Sequence, residues 1–319
     1  MFFLLPFLWL NFYSSKPAAT AIIAPETTHI IMTTSDGGAI WHDLSATVPP
    51  FKGGMILESI DDQMYLGIGD DLYTSLNSDI IKWQKEASFS TGVIVGLFPG
   101  KKGPYAITLQ KGFFQQNEDG NWEPVFQSMN DKIVFAFLET ADESLLASTD
   151  SGIYKTSDHG QTWKRVLLNG SIQSLVGDKD VYLVTSKEGI WRSIDEGEHW
   201  SHVLTTPTYT TRITPFENGF IAIVMGQEFG GIRTTNEMYT STDLGATWEK
   251  MVVPAELANV YEVKQAGMNL MASGEEGIFS SSDQGKTWKF VHEAPDNKNK
   301  FYRLISSGNT IFALLIQGC

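Results

Sequence analysis

Seven of the nine tryptophans fall in one register: Trp41, Trp83, Trp122, Trp163, Trp200, Trp248 and Trp288 are separated by 42, 39, 41, 37, 48 and 40 residues. Intervals this even mark a chain built from one supersecondary unit repeated about every 41 residues. A unit of that size cannot bury its apolar face alone, so neighbouring copies must stack to make a core.

The best copies read Gly152-Ile153-Tyr154-Lys155-Thr156-Ser157-Asp158-His159-Gly160-Gln161-Thr162-Trp163 and Gly277-Ile278-Phe279-Ser280-Ser281-Ser282-Asp283-Gln284-Gly285-Lys286-Thr287-Trp288. The same skeleton recurs at Ser193, Asp195, Gly197, Trp200, at Ser241, Asp243, Gly245, Trp248, and at Thr34, Asp36, Gly38, Trp41. Two copies are eroded: before Trp122 the run Asn117-Glu118-Asp119-Gly120-Asn121 is one residue short, and the run before Trp83 has no glycine. The skeleton suits a hairpin. A β-branched and aromatic strand enters a turn in which Asp accepts backbone N–H groups. Gly supplies a backbone angle that other residues avoid, and Trp opens the next strand with a large apolar ring.

Upstream of each hairpin lie two further strand-like runs, such as 133–139 with 145–148 and 172–176 with 181–185, so each unit has four strands. The first hairpin, 30–44, has no pair before it, and the last pair, 301–305 and 310–316, has no hairpin after it. Joining these orphans in one composite unit closes a ring and removes the open edges of a linear stack. The expected fold is all-β: a seven-bladed β-propeller with four-stranded antiparallel blades, the closing blade drawn from both ends of the sequence. Residues 22–319 form the propeller in this reading.

The repeated [Ser/Thr]-x-Asp-x-Gly-x-Thr-Trp skeleton resembles the Asp-box, or bacterial neuraminidase repeat, with five copies in register. The resemblance is one of repeats and covers nearly all of 22–319. In plan it is similar to the exported YVTN/Asp-box propellers and to the photosystem II stability/assembly-factor-like group, which implies a binding platform whose arginine patch has no residue-by-residue counterpart here. The Asp-box resemblance also implies a sialidase alternative, with three arginines on a substrate carboxylate, a Tyr/Glu nucleophile pair and an acid/base Asp. Sialidase propellers have six blades, and xyloglucanase-type hydrolases need two facing propellers.

Twenty-three basic against thirty-seven acidic side chains give a formal charge of −14. A sequence-independent grip on nucleic acid would work against that field, so no nucleic-acid partner is expected. The single cysteine, Cys319, excludes an intrachain disulfide and a cysteine-built metal site. The histidines show no metal-ligand spacing, and no cofactor or metal is expected. Met1 to Phe12 is an apolar run followed by small residues up to Ala21, although no Lys or Arg precedes it. It reads as a signal peptide over 1–21 and a secreted or periplasmic protein. The run is too short to cross a bilayer, and no other stretch qualifies.

The repeat aspartates and glycines, Asp36, Gly38, Asp158, Gly160, Asp195, Gly197, Asp243, Gly245, Asp283 and Gly285, with their tryptophans, are read as structural, on one propeller face. Function is sought on the other. There the 48-residue interval carries an insertion from Gly226 to Glu237, and departures from a repeat are where function tends to reside. The candidate binding residues are Gln227, Glu228 and Arg233 of that insertion, with Arg212, Tyr261, Tyr302 and Arg303 expected at the starts of inner strands, pointing at the channel. No catalytic residue is assigned. The expected function is a non-catalytic exported scaffold for a protein or glycan; the alternative is a sialidase-like glycoside hydrolase, for which Arg212, Arg233 and Arg303 would have to converge on one pocket.

Overall fold

Each repeat folds as a four-stranded antiparallel sheet. The computed structural model describes residues 31–317 except 51–54, 62, 77–80, 90–91, 110, 127–128, 130–131, 169, 209, 227, 230–231, 234, 258 and 295–299. From the inner to the outer strand, blade 1 is Met55–Ile60, Gln63–Ile68, Asp71–Leu76 and Gln84–Lys85, and blade 2 is Ile94–Phe98, Tyr105–Thr108, Gly112–Gln116 and Trp122–Phe126. Blade 3 is Val134–Glu139, Leu145–Thr149, Gly152–Thr156 and Lys164–Leu167, and blade 4 is Leu175–Asp178, Val181–Ser186, Gly189–Ser193 and Ser201–Thr205. Blade 5 is Thr210–Phe216, Gly219–Val224, Glu237–Ser241 and Glu249–Lys250; blade 6 is Glu262–Ala266, Asn269–Ser273, Gly277–Ser281 and Lys289–Glu293.

Blade 7 is the composite. Its inner strands, Lys300–Ser307 and Thr310–Gln317, pair with Ile31–Thr34 and then His42–Asp43, with Ile31 opposite Leu314 and Thr34 opposite Ile311. The first strand of every blade touches the first strand of the next, blade 7 back to blade 1 included, so the described residues form a closed ring of seven. The fold is the seven-bladed propeller that the tryptophan spacing predicts.

The core is divided into seven apolar clusters, each between adjacent blades and each touched by one tryptophan of the register. Between blades 3 and 4, for example, Leu146 and Ile153 meet Tyr182 and Val184, with Trp200 packed against them. A second strand has a neighbouring blade on both faces, and all six residues of Val181–Ser186 and of Gly219–Val224 are buried. Such strands read as continuous apolar runs, whereas the outer strands, with one side in water, are mostly exposed. A register shift recurs where the third strand meets the fourth, at Ile153/Tyr154, Ile190/Trp191 and Ile278/Phe279. The extra residue bends the outer strand and increases its local twist. Among the described residues no helix is long and apolar enough to cross a membrane. The expected signal peptide, 1–21, lies outside the described residues, as does Cys319.

Candidate functional site

Strand order puts the turns between third and fourth strands on one end of the ring, and the connections from second to third strand and from blade to blade on the other. On the first end the repeat residues form one hydrogen-bond circuit. The Ser281 hydroxyl donates to Asp283 Oδ1 at 2.8 Å and accepts Gly285 N–H at 2.8 Å. Asp283 accepts the Thr287 N–H at 2.8 Å and the Thr287 hydroxyl at 2.6 Å. The circuit repeats around Asp36, Asp158, Asp195 and Asp243. In blades 4, 5 and 6 the indole N–H of Trp200, Trp248 and Trp288 adds a bond to the carbonyl of Gly197, Gly245 and Gly285. The Thr287 and Ser281 donors hold the Asp283 carboxyl at about 2, below the usual carboxylate value. In each of these turns the aspartate accepts a hydroxyl and a backbone N–H of its own turn.

In the shortened copy before Trp122, Asn117 takes the place of Asp. Its Oδ1 accepts Asp119 N–H at 3.1 Å and Asn121 N–H at 2.9 Å. The turn therefore survives the lost residue, because an amide oxygen accepts the same donors as a carboxylate.

On the opposite end, the insertion joins the second and third strands of blade 5 and folds into a small hairpin, Glu228–Phe229 paired with Ile232–Arg233. Its root is pinned by Asn236, which is 5 % exposed: Oδ1 accepts Gly226 N–H at 2.9 Å, and Nδ2 donates to the Val260 carbonyl at 2.7 Å. The second bond ties the hairpin to the connection leading into blade 6. Gln227 lies outside the described residues; Glu228 and Arg233 stand opposite each other in the hairpin ladder.

The next residue after that connection is Tyr261, whose N–H donates to the Ser273 carbonyl at 2.8 Å and whose hydroxyl donates to Glu275 Oε1 at 3.3 Å. Its ring lies 4.8 Å from the Phe301 ring, which begins the inner strand of blade 7. Tyr302 goes elsewhere. It is 2 % exposed, packs with Ala266, Met271 and Ile278 between blades 6 and 7, and shares a hydrogen bond of 3.2 Å with His292. The expectation that Tyr302 and Arg303 both point at the channel is corrected here: successive side chains leave a strand on opposite faces.

Arg212 and Arg303 lie on the inner strands of blades 5 and 7, and each is held by a carboxylate. Arg303 donates to Glu58 of blade 1, and Arg212 of blade 5 donates to Glu262 of blade 6. Glu262 has a side chain 4 % exposed, accepts the Leu304 N–H at 2.9 Å and has Lys264 Nζ at 3.9 Å. Burial pushes its carboxyl up, but Arg212, Lys264 and Arg303 outweigh that effect and hold it below the ordinary value. Arg212 and Lys264 also face a cavity of about 210 Å3 with Gln173 and Ser174 across it. Glu58, Glu262, Lys264 and Asn236 were not picked out by reasoning from sequence; a charged residue inside the otherwise mostly apolar inner strand Met55–Ile60 was the available signal for Glu58. Among the described residues no cluster of three or more His, Cys, Asp or Glu is placed to hold a metal ion.

Comparison with known proteins agrees on the fold. The sequence model of the Sortilin-Vps10 family (sortilin, neurotensin receptor 3) matches residues 151–267, less than half of the chain. No curated protein matches. Among solved structures, YCF48 bound to D1 peptide is similar at TM-score 0.57 and 16 % identity, covering 84 % of this chain and 95 % of that one. An ancestral GH74 enzyme is similar at TM-score 0.55 and 14 % identity over 84 % of this chain. This chain spans only 40 % of the length of that enzyme. The extracellular domain of a putative hybrid two component system from B. thetaiotaomicron is similar at TM-score 0.54 and 11 % identity, covering 82 % of this chain and 40 % of that one. Binding proteins and enzymes thus share this architecture, and fold alone does not choose between them.

Proposed function

We propose that this protein is a non-catalytic, exported Asp-box propeller that binds a protein or glycan partner on the face carrying the 226–237 hairpin. The observation that carries the reading is the state of the inner-strand arginines. A sialidase-like site needs guanidinium groups open to a substrate carboxylate, but Arg212 and Arg303 are engaged by Glu262 and Glu58. The face has the attributes of a contact surface instead: a hairpin that departs from the repeat, anchored at its root by Asn236. YCF48, a chain of similar extent, is seen with a peptide, and the resemblance extends that mode of action to this chain. Export rests on the 1–21 segment of the sequence.

The competing reading, a sialidase-like glycoside hydrolase, has one foothold: Tyr261 and Glu275 form a tyrosine–carboxylate pair at the rim. A fluorogenic sialoside assay, run beside a glycan array, separates the two. The scaffold reading expects no turnover by the protein; turnover abolished by Arg212→Ala would overturn it.

A further inference from the structure

The geometry points to a docking point for a cationic side chain, lysine or arginine, of a basic partner peptide, formed by Tyr261, Phe301 and Glu275 at the channel mouth. This inference rests on the reading of the hairpin face as the binding face and names the chemistry of its partner. The Tyr261 and Phe301 rings lie 4.8 Å apart at a tilt of 38°, both partly exposed and both at the starts of inner strands. The Tyr261 main chain is tied to Ser273 by its N–H bond, and its ring is oriented by the hydroxyl bond to Glu275 and by contact with Phe301, which lowers the ordering required on binding.

Three features select a cation. The ring faces carry negative electrostatic potential, which attracts an ammonium or guanidinium within about 6 Å. The Tyr261 hydroxyl donates to Glu275, which enriches the ring in electron density and leaves a carboxylate beside it as a second partner for the incoming charge. Glu256, Glu275 and Glu276 are exposed on the loops of this sector, and the whole chain carries a formal charge of −14. That field repels acidic ligands and raises the local concentration of basic ones. Among the described residues the nearby cations are engaged elsewhere: Arg303 is held by Glu58, Arg212 and Lys264 are shared by Glu262, and strand alternation directs Lys300 to the face away from Phe301. A sugar ring also stacks on aromatic side chains, but it gains nothing from the net charge, so salt distinguishes the two.

The test is fluorescence anisotropy of a fluorescein-labelled tetralysine peptide with the full chain, at about 50 mM and about 500 mM salt. Saturable binding is expected at the lower salt and at least a fivefold weakening at the higher. Glu275→Gln and Tyr261→Leu should each weaken binding by about fivefold or more, while Glu118→Gln, an equal charge loss on the opposite face, should leave it within about twofold. Glu275 is exposed, so its variant remains informative if Tyr261→Leu fails to fold. Equal weakening by Glu118→Gln and Glu275→Gln would mean diffuse attraction and overturn the inference, as would absence of tetralysine binding at low salt. Salt-insensitive glycan binding without tetralysine binding would sink this inference and leave the scaffold reading standing; sialoside turnover would sink the scaffold reading itself.

Discussion

Glu262 accepts the backbone N–H of Leu304 at 2.9 Å, so a carboxylate from the inner strand of blade 6 reaches the inner strand of the closing blade. The same carboxylate is paired with Arg212 of blade 5. One buried side chain therefore ties three consecutive blades at the channel wall.

Removing that carboxylate strands its partners. Glu262→Ala leaves Arg212 and Lys264 without their counter-ion and the Leu304 N–H without an acceptor, and is expected to cost about 3 kcal/mol. Arg212→Ala should cost less, because Arg212 is 42 % exposed and water replaces much of what it loses. Urea unfolding of both variants checks the order; Arg212→Ala being the more destabilising would show that Glu262 is not the centre of the network.

Acid should unfold the ring over a narrow window. Asp158, Asp243 and Asp283 sit at about 2 because hydroxyl and backbone N–H donors of their turns favour the ionised form. For Asp195 slight burial pulls upward and the His199 and Ser193 bonds outweigh it, again leaving about 2. In the unfolded chain these groups titrate near 4, so below that the unfolded state binds more protons than the folded one. Their contribution is complete above about pH 5 and is lost as pH falls from about 4 to about 2. Urea midpoints measured between about pH 7 and pH 2 test this; a loss already complete by about pH 5 would contradict it.

The buried hydroxyl of each turn should matter more than its exposure to solvent suggests. Ser241 is 2 % exposed, donates to Asp243 at 2.8 Å and accepts Gly245 N–H at 2.9 Å. Ser241→Ala leaves that N–H without a partner and is expected to cost about 1 to 2 kcal/mol. Ser241→Thr should restore stability, since Thr34 and Thr156 perform the same task in other blades. Thermal melts of the pair decide it.

Asn236→Ala should loosen the hairpin without opening the blades. The Gly226 N–H and the Val260 carbonyl lose their partner together, a local penalty of about 2 kcal/mol. Hydrogen exchange should accelerate at Gly226 and through the insertion, while amides of the buried second strands keep their protection. Equal acceleration in both places would mean that Asn236 supports the whole ring.

The blade count, the four-strand unit and the composite closure were legible because they depend on periodicity. A tryptophan and a turn recur with each blade, and the orphan hairpin at 30–44 could be completed only by the strands near 301–316. The eroded copy before Trp122 was legible only in outline, since the substitution of Asn117 for the usual carboxylate shows in its hydrogen bonds and not in the repeat pattern.

Sequence by itself determined the architecture and the position of the one large departure from the repeat, both of which are local or periodic properties. Tertiary structure alone decided what the charged residues do. Arg212 meets Glu262 across 50 residues and Arg303 meets Glu58 across 245, and neither distance along the chain carries a signal. Tyr261, just before the inner strand of blade 6, meets Phe301 of blade 7, whereas Tyr302, within the inner strand of blade 7, is buried between blades 6 and 7. The physical reason is closure: bending a linear repeat into a ring brings side chains from distant copies into contact, and their partners are set by the geometry of the ring, not by the order of the residues.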